Sequence, residues 1–236
     1  HPPRDESPAV LNFCYHAMTN ILEAAKEIKV QRVVYASSGA LYGQLRRRDH
    51  TPIREDHPVA IYPTYFYRSA KILSEWLGDF YKETHHVDFV ALRFSSVYGP
   101  GLGRGIPLEL KKGMLGQNCR PYLTRLPDDL IYIDDVTDAI QRALFSTKAL
   151  SRAYNIAMDQ AYEEKDLQHA IEQALPELSF TIGKHPNAAV TGIHRDRDLL
   201  DITLARRDLE FDPKVGLGQG IARIVAWLKE HADHLE

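Results

Sequence analysis

An amphipathic helical stripe followed at once by a short β-branched run, and then a second helix and strand, limit what this chain can fold into. After Ser7-Pro8, read as N-cap and first helical residue, the apolar positions Val10, Phe13, Cys14, Ala17, Met18, Ile21, Leu22 and Ala25 recur at alternating spacings of three and one, which predicts a helix over 8–29. Gln31-Arg32-Val33-Val34-Tyr35-Ala36-Ser37-Ser38 follows, a compact run ending in small polar residues, as suits a buried parallel strand. A polar loop over 44–63 leads to a second helix, Thr64–Glu83, and Val87–Phe94 reads as the second strand. A parallel pair needs a crossover long enough to hold a helix, so this alternation predicts an α/β fold, a doubly wound parallel sheet with helices on both faces.

The pattern loosens after Gly99-Pro100-Gly101. The sequence predicts a short helix near Pro107–Leu115 and a strand at Leu130–Ile133, with Asp134 or Asp135 capping a helix to Phe145. A strand at Tyr154–Ile156, a helix over Glu163–Leu175, a small β-containing piece over 177–193 and a last helix carrying Ile221, Ile224, Val225 and Leu228 complete the reading. The expected division is a sheet domain over 1–105, to which 130–157 returns, and a smaller lobe built mainly from 106–129 and 158–236.

At 236 residues the chain can bury a full core without disulfides or a structural metal. Cys14 and Cys119 match no C-x-x-C pattern and are expected to be thiols of a cytoplasmic protein. Against 32 acidic residues stand 29 basic ones, so no overall positive field draws the chain to nucleic acid or anionic lipid. No uncharged apolar run approaches the roughly 20 residues of a bilayer span. Neither nucleic acid nor membrane is therefore an expected partner. No Cys/His cluster has zinc-ligand spacing and no G-x-S-x-G elbow occurs, so neither a metal nor a serine hydrolase site is expected.

Chemistry concentrates on the second helix. Tyr67 and Lys71 stand four apart and project from one face, where an ammonium near a phenol favours the phenolate and so makes it a better base. With 12 tyrosines in the chain, chance alone gives roughly half a Tyr-x-x-x-Lys pair, and a lysine stem packed over a tyrosine ring is the plain reading of the pair alone. Ser37-Ser38 changes the balance, because it ends the preceding strand, and ligands of open parallel sheets bind beyond the carboxyl ends of strands.

Several blocks in order carry a resemblance. They are Val34-Tyr35-Ala36-Ser37-Ser38-Gly39-Ala40-Leu41-Tyr42-Gly43, Tyr67-Arg68-Ser69-Ala70-Lys71-Ile72-Leu73-Ser74-Glu75 and Leu92-Arg93-Phe94-Ser95-Ser96-Val97-Tyr98-Gly99-Pro100-Gly101, followed by Tyr132–Val136 and Ala205–Pro213. Together they resemble the NAD-dependent epimerase/dehydratase branch of the extended short-chain dehydrogenase/reductases, proteins with a Rossmann-like sheet that act on nucleotide sugars. The resemblance implies that Tyr67 is the base, that Lys71 tunes it and holds the nicotinamide ribose, and that Ser38 hydrogen-bonds the reacting oxygen. Ser37, Phe94 and Ser96 would join Tyr67 and Lys71 around NAD or NADP. Ser38 and Ser96 would face the sugar, with Ser96 standing where the family has an asparagine. Arg195 would pair with the nucleotide diphosphate and Asp198 would orient its ribose, against the plain alternative of a solvated charge run over 194–198. Gly39-Ala40 replaces the acidic pair of the family's dehydratases, so the resemblance favours epimerisation or a reductase step over simple dehydration. It also implies a homodimer through the helices at 8–29 and 63–84.

One family feature has no match. No start of G-x-G-x-x-G succeeds in Gly99–Gly105 or Gly216–Gly220, which read as turns. The reading is thus of a Rossmann-like sheet lacking its N-terminal Gly-rich portion, with weak NAD binding expected of the chain alone. A non-catalytic binding or interaction protein on a degenerate epimerase scaffold is the alternative. Arg46-Arg47-Arg48 reads as a solvated loop.

Overall fold

A computed structural model of the chain describes residues 8–43, 51–59, 66–124, 127–148, 150–184 and 199–231. The helix–strand alternation forms twice over. Helix α1 (Pro8–Ile28) buries Met18, Leu22 and Ala25, ends on Lys29 in the left-handed region (φ 53°), and gives way to strand β1 (Val33–Ser38). Helix α2 (Phe66–His85) ends the same way on His86 (φ 57°) before β2 (Phe89–Phe94). A left-handed residue closes a helix by turning the chain sharply away from its axis, and here it sends each helix into the strand beneath it. Val30 and Val87 donate their amides back to Ala25 and Tyr81, closing both ends.

Strands β1, β2 and β5 (Ala153–Ile156) form a parallel sheet in the order β1-β2-β5. One face packs under α1 and α2 through Met18, Leu22, Leu77, Tyr81, Phe89 and Ala91. The opposite face carries α4 (Ile133–Phe145) and α6 (Thr203–Leu209) through Val90, Leu92, Ala139, Ala143 and Ala205. Residues of β2 are buried on both sides, which explains a run apolar without alternation. Helices on both faces of a parallel sheet make this the doubly wound, Rossmann-type architecture that the sequence predicts.

The chain then leaves the sheet. At Ser95 the strand breaks, and β3 (Ser96–Tyr98) pairs in parallel with β4 (Leu130–Tyr132) as a separate two-stranded sheet. Helices α3 (Gly105–Met114), α5 (Glu164–Ala174) and α7 (Leu217–Glu230) gather over it around Leu110, Leu167, Ile171, Ile221 and Ile224. Gly220 lets α7 close on Tyr98, since a Cβ there would lie 2.1 Å from the tyrosine oxygen.

Local expectations differ in three places. Helix α4 starts directly from β4 with Tyr132 as its N-cap, and neither Asp134 nor Asp135 caps it. Asp135 is instead buried and accepts the Lys214 and Val215 amides, fastening the approach to α7. Among the described residues of 177–193, which end at Lys184, no strand forms. The sequence reading also lacked α6, β3 and a 3₁₀ turn over Gly39–Tyr42.

Candidate active site

Lys71 and the ring of Tyr67 meet where β1 ends beneath α2. The Val33 amide donates to the Asp88 carbonyl, so alternate β1 residues turn their backbone groups to β2, whereas Val34, Ala36 and Ser38 turn theirs to the side away from β2, the edge of the sheet among the described residues. Lys71 reaches that edge, and its Nζ donates to the Ala36 carbonyl at 2.6 Å. The same ammonium lies 4.8 Å from the centroid of the Tyr35 ring and 5.6 Å from that of Tyr67. Burial lowers the Lys71 pKa, and Cys14 and Glu75 oppose the shift. Burial also pushes Tyr35 up to about 12, which keeps it a neutral wall of the site. Tyr67, one turn ahead on α2, is 45% exposed.

Ser38 closes the strand in extended geometry. Its Oγ accepts the Ala40 amide at 3.1 Å and so opens the 3₁₀ turn over Gly39–Tyr42. Phe94 ends β2, partly buried against the core, and Ser96 lies half-buried in β3 opposite Leu130. Arg195 and Asp198, like Arg46–Arg48 and Ser7, lie outside the described residues. Of the two glycine clusters, Gly101 and Gly105 adopt left-handed backbone (φ 73° and 60°) in the turn into α3, and Gly216 is the N-cap of α7.

Beneath the site lies a polar network that the sequence reading did not single out. Glu75 and Arg93, each 8% exposed, form a buried ion pair with Arg93 Nη2 at 2.7 Å and Nε at 3.1 and 3.2 Å from the carboxylate oxygens. Ser37 donates its hydroxyl to the same carboxylate. Arg93 Nη1 donates to the Tyr42 hydroxyl at 2.7 Å and to the Glu55 carbonyl at 3.0 Å. Tyr42, pushed up to about 12 by burial, donates in turn to Asn155 Oδ1 at 2.8 Å. Asn155 donates onward to the Ile53 and Asp201 carbonyls and, through its backbone amide, to the Glu55 carboxylate. The signal was present in β2, where an arginine inside Phe89-Val90-Ala91-Leu92-Arg93-Phe94 has to find a buried partner.

A parallel sheet wrapped by helices on both faces is the Rossmann-type architecture. The chain belongs to the NAD dependent epimerase/dehydratase family, whose model matches residues 9–157. It is 30% identical over 227 residues to an uncharacterized protein of Methanocaldococcus jannaschii, covering 92% of this chain and 64% of that protein. It is 28% identical over 238 residues to the UDP-glucose 4-epimerase of Mycolicibacterium smegmatis, covering 97% of this chain and 70% of the relative. Among solved structures it resembles DesIV, a dTDP-glucose 4,6-dehydratase of Streptomyces venezuelae with NAD and TYD bound. The TM-score is 0.79 at 22% identity, over 97% of this chain and 70% of that one. The chain thus spans about two thirds of the length of the proteins that it matches.

Proposed function

We propose that this chain carries the nicotinamide and sugar side of an NAD(P)-dependent nucleotide-sugar epimerase or a related oxidoreductase. The observation behind this reading is the position of Lys71, whose ammonium sits over Tyr67 and Tyr35 and on the Ala36 carbonyl at the end of β1. Tyr67 takes the proton of a sugar hydroxyl, Lys71 favours the phenolate that does so, and Ser38 hydrogen-bonds the reacting oxygen. The donor set suits the nicotinamide end of the cofactor, because an ammonium with three protons can satisfy Ala36 and still donate to ribose hydroxyls. Ser37, Phe94 and Ser96 would flank that end, and the nicotinamide, when bound, supplies hydride acceptance and return. Arg195 and Asp198 are assigned to the nucleotide diphosphate and its ribose. Gly39-Ala40 after Ser38 favours epimerisation over dehydration. The sheet over 1–105 and 130–157 would hold the cofactor, and 106–129 with 158–236 the nucleotide sugar.

A Tyr67→Phe variant, assayed with NAD and a panel of UDP- and dTDP-hexoses, is expected to lose turnover by about 10²-fold or more, the contribution of a general base. A rate within twofold of the unaltered chain would remove Tyr67 from the chemistry. Tight nucleotide-sugar binding with no turnover in either protein would favour the binding-protein reading.

The same reading includes a homodimer and a cytoplasmic location. Phe13, Ile21 and Ile28 on α1, and the stacked Trp76 and Phe80 on α2, are large apolar side chains left exposed on two helices that pack against each other. No described helix is long and apolar enough to cross a membrane. Sedimentation equilibrium is expected to return a dimer that Trp76→Lys weakens, whereas a strict monomer at all concentrations would contradict it.

A further inference from the structure

We propose that Glu75 is the positioning residue of the Tyr67–Lys71 pair, its buried carboxylate tying α2 to β1 through Ser37 and to β2 through Arg93, and so fixing where Lys71 meets the strand. This rests on the reading of Tyr67 and Lys71 given above.

The argument begins with spacing. Tyr67, Lys71, Ser74 and Glu75 stand at i, i+4, i+7 and i+8 and therefore share one face of α2. Two consecutive β1 residues are held from that face. Lys71 donates to the Ala36 carbonyl, and Glu75 accepts from Ser37. Of these contacts, only Glu75 brings a carboxylate into a site 8% exposed, and only it is matched by a guanidinium from a second strand. A buried carboxylate separated from its partner is far more costly than a displaced hydroxyl or an edge carbonyl returned to water. Any slide or rotation of α2 breaks the Glu75–Arg93 pair first, so this pair sets the register of the helix. The other contacts follow it.

Glu75 also acts on Lys71 through its field. The groups facing Lys71 are Tyr67 and Glu75 on α2, Tyr35 on β1 and Cys14 on α1. Burial lowers the Lys71 pKa, and Cys14 and then the Glu75 carboxylate one turn away oppose the shift.

The test uses the full chain with ¹³C-labelled lysine and tyrosine, followed by NMR across a pH titration. Glu75→Gln keeps the shape, removes the charge and exchanges one acceptor oxygen for an NH2 donor. It is expected to retain the far-UV circular dichroism of the fold and to lower the Lys71 midpoint, with Glu75→Asp returning it part of the way. A folded Glu75→Gln whose Lys71 titration superimposes on the original would overturn the proposal, as would one that lowers only the melting temperature. If Glu75→Gln does not fold, Ser37→Ala, which leaves the ion pair whole, carries the test. Displaced Lys71 and Tyr67 resonances support the proposal, and unmoved ones overturn it. The Tyr67–Lys71 reading is judged separately, on whether Lys71→Met alters the Tyr67 titration.

Discussion

Arg93→Ala is expected to lose about 3–5 kcal/mol of folding stability, because it strands the Glu75 carboxylate in a site from which water is largely excluded. That is comparable to the whole stability of a marginal domain, which is about 5–15 kcal/mol, so a large unfolded fraction is expected at ambient temperature. The loss does not stop at one pair. Tyr42 and the Glu55 carbonyl each lose a donor, and through Tyr42 the disturbance reaches Asn155, which holds Ile53 and Asp201. Replacing Arg93 and Glu75 together by leucine should recover much of the loss, since no buried charge is then left alone. Urea unfolding measures both variants, and a loss under about 1 kcal/mol for Arg93→Ala would show that the pair is not a structural anchor.

Phe89→Ala is expected to lose a similar amount, about 3–5 kcal/mol, by leaving a cavity under α2. Phe89 is fully buried, its ring stacked near Tyr35 with centroids 6.1 Å apart. The ring also lies against Gly78, where a Cβ would come within 2.2 Å of it. This predicts a change of sign in a double-mutant cycle. In the original background, the helix-propensity gain of Gly78→Ala, about 1 kcal/mol, is outweighed by overpacking that costs about 1–3 kcal/mol. In the Phe89→Ala background the methyl meets open space and should stabilise. Additive effects in that cycle would show that Gly78 does not set how closely α2 approaches the sheet.

The fold was legible where one element's pattern was long enough to repeat. Helices α1 and α2 are 21 and 20 residues long, and β1 and β2 follow them closely, so the alternation was plain. The three residues of β3 carry no periodicity, and α6 spans seven residues without a side-chain cap. Asp135 resembled a helix cap by position, yet its partners at 214 and 215 lie far along the chain and outcompete that local role. Site chemistry divides in the same way. Tyr67, Lys71 and Ser38 were candidates through spacing, a strand end and the family resemblance taken together, since the Tyr-x-x-x-Lys spacing alone is weak. The network of Glu75, Arg93, Tyr42 and Asn155 is assembled from residues 18 to 113 positions apart, and only packing brings those together.

The central claim is that an ammonium at the rim of the sheet makes the Tyr67 phenol easier to ionise, and the direct measurement is the Tyr67 ring titration by ¹³C NMR in the unaltered chain and in Lys71→Met. A positive neighbour stabilises the phenolate, so Tyr67 should release its proton at lower pH with Lys71 present. Burial lowers the lysine's own pKa, so the help should fade as rising pH neutralises Lys71. A Tyr67 midpoint that rises in Lys71→Met is the predicted result. Coincident titrations in the two proteins would contradict the account.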